Sequence, residues 1–344
     1  MVSDRGENCG EKLWMFNYQQ RRYGMRREKI KKLMLMVLAI TLLFGSNIKA
    51  LKAEGDFDKF IKPVTNPVYF DEPFNRTYIH LLTAYQNLPS HVNTIIGNVP
   101  LDGHLQLTAL RINYAVNERF SIVAAKDGYI DFKPAFKIPN VLEDASGWGD
   151  IAAGLKYAFI LDPKNEFVLS GKVLFEFSQG TRKVFQGNGD GNASPSLSFL
   201  KGYKNFQLCG IVGGIIPFNG AEESTMLYDS WHVSYDLVGS MCGSDAKNKI
   251  FPLVELNHFR VLDSGHRNEL VASVAKFEGG DIINLGAQHS NDHPDFVTLG
   301  VGFRYRSNYS CLPLDFGFAY EFPLSQKENG LMSNRFTWDL IYRF

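Results

Sequence analysis

The chain has 344 residues, 45% hydrophobic, 21% charged and 13% aromatic, a composition that permits an ordinary buried core and selects no class by itself. The zero formal charge hides an asymmetry: residues 1–53 hold 11 Lys/Arg and 4 Asp/Glu, which leaves 25 and 32 in residues 54–344, a balance of −7. An acidic body argues against general nucleic-acid binding, which needs a basic surface to replace counterions, and no apolar run reaches the ~20 residues that a spanning helix requires.

At the N-terminus, Met25-Arg26-Arg27-Glu28-Lys29-Ile30-Lys31-Lys32 is a basic stretch, Leu33 to Phe44 is apolar, and Ala50 and Ala53 offer small residues for cleavage. That order is expected of a secretory signal peptide, complete from Met25, so residues 1–53 are assigned to targeting and Met25 is the expected start. Three cysteines follow, Cys209, Cys242 and Cys311, an odd number that cannot form a full disulfide framework. A pair between Cys209 and Cys242 is compatible with an oxidising compartment, and three separate thiols are the simpler reading.

Residues 54–76 do not alternate and contain Pro63, Pro67 and Pro73. Such a stretch cannot face lipid, because its backbone donors and acceptors would go unpaired. It is expected either in the periplasm or folded into a barrel lumen as a plug. Insertion would spare Val68, Tyr69, Phe70 and Phe74 the cost of exposure to water.

Residues 77–344 repeat one theme of roughly ten alternating residues followed by a break, the length a tilted strand needs to cross a bilayer. In 297–306, Val297, Leu299, Val301, Phe303 and Tyr305 oppose Thr298, Gly300, Gly302, Arg304 and Arg306. In 312–322, Leu312, Leu314, Phe316, Phe318, Tyr320 and Phe322 oppose Pro313, Asp315, Gly317, Ala319 and Glu321. Period two with one oily face is a strand signature and excludes an amphipathic helix. Breaks alternate between short and long, as in barrels with short periplasmic turns and longer outer loops. The spacing predicts strands at 77–86, 104–115, 120–128, 149–160, 167–178, 196–202, 206–217, 230–241, 250–261, 268–277, 282–288, 297–306, 311–322 and 334–344. The expected fold is therefore an all-β, closed antiparallel transmembrane barrel of about 14 strands, or 12 if one pair is lost, the weakest members being 77–86 and 268–288, with both termini periplasmic.

The same phase points Arg111, Asp150, Lys156, Lys172, Glu176, Asp236, Glu255, Arg304, Arg306, Asp315, Glu321, Asp339 and Arg343 into the lumen. Inward charges are tolerable if the lumen is wet or if they pair across it, and mixed signs argue against strong ion selectivity. Lys156 is expected to meet Glu176 or Asp150, and Gly154 to leave space for a neighbour or a plug. In the segment 129–148, Tyr129, Phe132, Phe136 and Trp148 read as aromatics at the barrel mouth, either an interfacial girdle or a greasy vestibule.

Gly187-Asn188-Gly189-Asp190-Gly191-Asn192 lacks the closing glutamate of a calcium loop, and no metal or cofactor is expected. His289, Asp292, His293 and Asp295 cluster in one loop, and His258 stands near Glu255 and Ser264 near His266. Neither grouping positions a nucleophile, a base and an orienting acid, so catalysis ranks below transport and a barrel hydrolase is the remoter reading. The final residues place Phe336, Trp338, Leu340, Tyr342 and Phe344 on one face.

Gly147-Trp148-Gly149-Asp150-Ile151-Ala152-Ala153-Gly154-Leu155-Lys156-Tyr157-Ala158-Phe159 resembles the Gly-Asp-x-x-x-Gly-x-Lys-Tyr strand of the outer-membrane barrel family labelled "meta-pathway of phenol degradation", a transporter-like group. The aromatic last strand looks like the signal read by the outer-membrane assembly machinery, and the likeness extends over residues 104–344. It implies residence in the bacterial outer membrane, contact with its lipid, and passive uptake of small aromatic or hydrophobic cargo. More distantly, the fatty-acid and hydrocarbon channel family has fourteen strands and an N-terminal hatch, and Asn66-Pro67 is similar to its N-terminal motif. A structural or adhesive barrel is the alternative. Nothing in the residues speaks to the oligomeric state.

Overall fold

The structure is a computed structural model and describes residues 56–344 apart from 95–96, 139–141, 188, 221–223, 244–245, 264–293 and 310–312. Its strands are β1 (Tyr78–Asn87), β2 (His91–Thr94), β3 (Gly97–Pro100), β4 (Gly103–Ala115), β5 (Phe120–Lys126), β6 (Gly128–Pro134), β7 (Ala145–Trp148) and β8 (Ile151–Asp162). There follow β9 (Phe167–Phe177), β10 (Asn192–Tyr203), β11 (Phe206–Pro217), β12 (Thr225–Tyr235), β13 (Asn248–Asp263), β14 (Asp295–Ser307), β15 (Leu314–Pro323) and β16 (Asn334–Arg343). The sheet is antiparallel and closes on itself, because β1 pairs with the last strand on one side, Tyr78 opposite Arg343, and with β4 on the other, Tyr78 opposite Asn113.

The cylinder is the expected closed barrel. It closes on twelve strands, the alternative count, while the sheet as a whole holds fourteen. The extra two extend strands already counted: β4 carries β5 at Ile112–Ala124 and, further along, β6 at Ala109–Gly128. Residues 120–134 are thus one strand interrupted at Asp127, and β7 and β8 are interrupted likewise at Gly149-Asp150. The strands expected at 268–277 and 282–288 lie outside the described residues, and the barrel closes without them, since β13 pairs directly with β14 from Arg260–Asp295 to Asn248–Ser307.

The strand expected at 230–241 stops at Tyr235. There Asp236 turns the chain into a short helix, Leu237–Cys242, by accepting a 2.7 Å hydrogen bond from the Gly239 amide. An acidic side chain that satisfies an otherwise orphaned amide is a common helix start, and it competes well with one further strand residue. Among the described residues no helix is long and apolar enough to cross a membrane.

The outer wall is apolar and open. Ile122, Leu155, Phe159, Val173, Phe175, Leu197, Val212, Trp231, Val233, Val254, Val301 and Trp338 are all exposed. A continuous greasy belt of this size would be costly in water, and hydrocarbon removes the cost. The alternate positions face inward and are largely polar.

What fills the interior is the N-terminal segment. After a 3-10 turn at Asp56–Lys59, residues 60–76 are buried without exception before the chain enters β1. Phe57, Phe60 and Phe74 pack with Ala158, Val168 and Leu200, near the short turns. Further in, Val68, Tyr69 and Phe70 pack with Leu174, Ile211, Tyr228 and Phe259. The segment therefore rises from the periplasmic end, turns at Asn66, whose φ is 49° and whose carbonyl accepts from the Phe70 amide at 2.9 Å, and returns to the same end.

Candidate functional site: the occupied lumen

Inward-facing side chains hold the N-terminal segment from every side. On β11, Gln207 receives the Ile61 amide at 2.8 Å and donates to the Ile61 carbonyl at 2.7 Å, copying a strand's pairing with an amide side chain. On β13, Glu255 accepts from the amides of Val64 and Thr65 at 2.9 and 2.6 Å and from the Thr65 hydroxyl at 2.5 Å. Its other contact is His232 Nδ1 at 2.6 Å. Asn113 donates to the Arg76 carbonyl at 2.5 Å, Ser121 to the Asn75 side chain at 2.6 Å, and Ser170 to the Pro73 carbonyl. A segment with three prolines forms no ladder of its own, so its buried carbonyls need such donors.

Charges divide into two arcs. Along β14–β16 the wall pairs with itself: Arg304 grips Asp339 through two 2.9 Å bonds, Arg306 meets Asp315 at 2.9 and 2.7 Å, and Arg335 meets Glu321 at 3.1 Å. His80 adds a 3.0 Å contact to Asp339, and Arg343 reaches Asp315 at 3.1 Å. Bidentate pairs of this kind fix geometry as well as charge, which a buried ion requires. Along β4, β8 and β9 the charged side chains bonded to the segment are bases. Lys156 donates to the Glu72 and Phe74 carbonyls, each at 2.9 Å, Lys172 to the Tyr69 carbonyl at 3.0 Å, and Arg111 to the Pro67 carbonyl.

Above the turn of the segment the interior becomes apolar. Pro67 and Val68 floor a pocket walled by Leu82, Ala84, Leu107, Ala109, Ala125 and Ile130, with Asp127, Gln186 and Arg335 at its edges. Over it, Leu101, Phe132, Leu142, Val184, Phe185 and Leu331 bring outer-end loops into one hydrophobic cluster.

Most expected lumen residues are found on the inward face, buried: Arg111, Asp150, Lys156, Lys172, Glu176, Glu255, Arg304, Arg306, Asp315, Glu321 and Asp339, with Arg343 half-buried at the rim. Several roles differ from those expected. Asp236 is not on a strand; it caps the helix and pairs with Lys249 at 2.7 Å. Asp150 does not serve Lys156 but receives the amides of Gly180 and Gly187 at 2.7 and 2.9 Å, pinning the loop between β9 and β10. Glu176 sits opposite Ala152, four residues along from the Lys156 level, and Lys156 turns to the segment instead. A side chain at Gly154 would strike the Val173 carbonyl, so of its two expected uses this glycine serves the neighbour, the close approach of β8 and β9, and not the plug. Gly300 and Gly202 are glycines that admit the segment: a Cβ at Gly300 would lie 2.6 Å from Thr65 Cγ2, and one at Gly202 would strike the Phe60 ring.

Tyr129 and Trp148 stack edge-on outside, 5.4 Å apart, and Phe136 is exposed, but Phe132 turns inward against Phe185 at 5.1 Å and is not part of an outer girdle. Phe336, Trp338, Leu340 and Tyr342 share the outer face of β16, ending at exposed Phe344. Cys209 is buried and Cys242 exposed, both as free thiols, so that pair is not formed. His258 and Glu255 point to opposite sides of β13; His258 bridges Asp229 and Asp295 at 2.8 and 2.9 Å on the outer face, so those two residues do not meet. His289, Asp292, His293, Ser264 and His266 lie outside the described residues.

Residues that sequence reasoning did not single out are Gln207, Asn113, Ser121, Ser170 and His232, together with Lys62 and Asp71 of the segment. Their signal was present: each of the five wall residues is polar and occupies the inward phase of its strand.

These features define a class, a membrane-spanning twelve-stranded barrel whose N-terminal segment occupies the lumen. Neither a protein-family model nor a curated protein matches the chain. Among solved structures it is similar to the COG4313 outer membrane channel from Pseudomonas putida F1, with a TM-score of 0.52 and 11% identity over 83% of this chain and 100% of that one. It also aligns with the NanC porin at a TM-score of 0.44 and 8% identity, over 77% of this chain and 100% of that one. A Pseudomonas aeruginosa FadL homologue aligns at 0.36 and 8%, over 82% and 96%. At these identities the first likeness is one of fold, the architecture of bacterial outer-membrane barrels.

Proposed function

We propose that the protein is an outer-membrane channel for passive uptake of small solutes, with aromatic or apolar compounds as its cargo and its N-terminal segment as the closure. The observation that carries this reading is the layering of the interior: an apolar pocket toward the outer loops, and beneath it a polar lumen filled by a segment held mostly through side-chain bonds. Such bonds contribute about 0.5–1.5 kcal/mol each between neutral groups and about 1.5–3 kcal/mol where one partner is charged, and none of them belongs to the wall's own ladder, so their release leaves the strand pairing in place. The likeness to the phenol-degradation type of barrel and the fold shared with outer-membrane channels support the same reading. Its assumed partners are outer-membrane lipid, the assembly machinery and the cargo itself.

Planar-bilayer recording tests the proposal. The full chain is expected to show a low, intermittent conductance, and a variant lacking residues 57–76 a steady larger one. An unchanged current in a variant that still migrates as a folded barrel on unheated gels would leave a structural or adhesive role, which the dense wall pairing would also suit. Uptake of labelled toluene into cells carrying the intact protein, compared with cells lacking it, tests the cargo class.

A further inference from the structure

The two charged arcs differ in what would happen if the segment moved. In the β14–β16 arc each arginine keeps its carboxylate within the wall. In the other arc Lys156 and Lys172 are direct cross-strand partners on β8 and β9, both facing inward and both buried. Like charges directly opposite one another are unfavourable. Arg111 joins them from β4, 1% exposed, with Nε and Nη2 making no hydrogen bond. The carboxylate at this place is Asp71 of the segment, 3.6 Å from Arg111, 3.9 Å from Lys156, bonded to Lys62 and receiving the Tyr78 hydroxyl at 3.1 Å. Glu72, its neighbour, is taken up by Arg76 at 2.9 and 2.6 Å. Three wall cations thus face one carboxylate that belongs to the removable part, and that part brings Lys62 with it. Pro67, whose carbonyl Arg111 binds, also floors the apolar pocket.

We infer that Arg111, Lys156 and Lys172 form a binding site for a small organic carboxylate whose apolar body sits in the adjoining pocket, and that Asp71 holds this site in the closed barrel. A cargo carboxylate would replace Asp71 and the carbonyls of residues 67–74 on the three cations, and so release the segment. Spatial separation of the charges is decisive here: the lumen is mixed in sign overall, and Glu255 is uncovered on β13, yet the patch uncovered around Asp71 on β4, β8 and β9 is cationic. The inference rests on the transport reading and names the chemistry of its cargo.

Benzoate and its neutral counterpart benzamide separate the possibilities. With the full-length protein in planar bilayers, benzoate is expected to increase opening events roughly tenfold over benzamide, the difference that one charge-assisted hydrogen bond makes. The open state should favour chloride over potassium in a salt gradient. Lys172→Gln should raise basal opening, because it weakens the hold on Tyr69, yet lower the benzoate response, whereas Lys172→Arg should keep it. If Lys172→Gln does not assemble, Lys156→Gln serves the same comparison. Equal action of benzamide, no response to benzoate, or cation selectivity in the open state would overturn the site. If labelled toluene is still taken up in that event, the transport reading stands alone; if toluene is also excluded, both fall.

Discussion

Single residues decide how tightly the lumen is filled. Gly300 faces Thr65, whose hydroxyl and amide are tied to Glu255 and whose hydroxyl also receives Asn257 at 2.9 Å, so Thr65 cannot step aside. Gly300→Val should therefore push the segment rather than the wall, with a cost of about 1–3 kcal/mol for overpacking. The expected result is more frequent channel opening with unchanged barrel migration on gels. Gln207→Ala leaves both the amide and the carbonyl of Ile61 unpaired in a buried place, a loss of roughly 1–3 kcal/mol for each group. Limited proteolysis from the periplasmic side should then cut the segment faster than in the parent protein. Gly317 has a related job in the wall: a Cβ there would lie 3.0 Å from Arg304 Nη2 and displace the Arg304–Asp339 pair.

At the scale of elements, the strands were legible wherever period two ran without interruption, as in 297–306 and 334–344, because lipid and lumen impose opposite chemistry on alternate residues. Two breaks were not legible. Inward positions run 121, 123, 125 and then 128, 130, 132, a slip of one residue at Asp127, and a similar slip falls at Gly149-Asp150. An irregularity of this kind keeps the chain in the sheet while reversing the pattern, which on sequence alone reads as the end of a strand. Partner choice was hidden for another reason. Which base meets which acid depends on barrel register, so the strand pattern points Lys156 to Glu176 or Asp150, whereas its contacts come from residues 71–74. Asp150 instead fastens the β9–β10 loop. Asp150→Ala should leave the barrel intact and open that loop to protease near Gly180 and Gly187. The last strand, whose outer aromatics end at Phe344, is paired to β1 along its whole length. Deleting Phe344 should lower the amount of folded protein in the outer membrane without changing the behaviour of molecules that do assemble, as heat-modifiable migration would report.

For the whole molecule, closure at β1–β16 leaves the twelve-strand cylinder without an open edge, and that is why its amphipathic strands can stand in a bilayer without a second layer. Alternation and the prolines of 54–76 disclosed both the barrel and the need to shelter the segment. They did not disclose that the lower interior is ionic and the upper interior apolar, since that division is made by loops that meet only in three dimensions, such as Val184, Phe185 and Leu331 around Phe132. The N-terminal segment enters and leaves the lumen at one end, and its last residues continue directly into Tyr78 of the seam strand. A segment drawn out of the lumen would therefore stay tethered to the wall it had closed, ready to refill the same barrel.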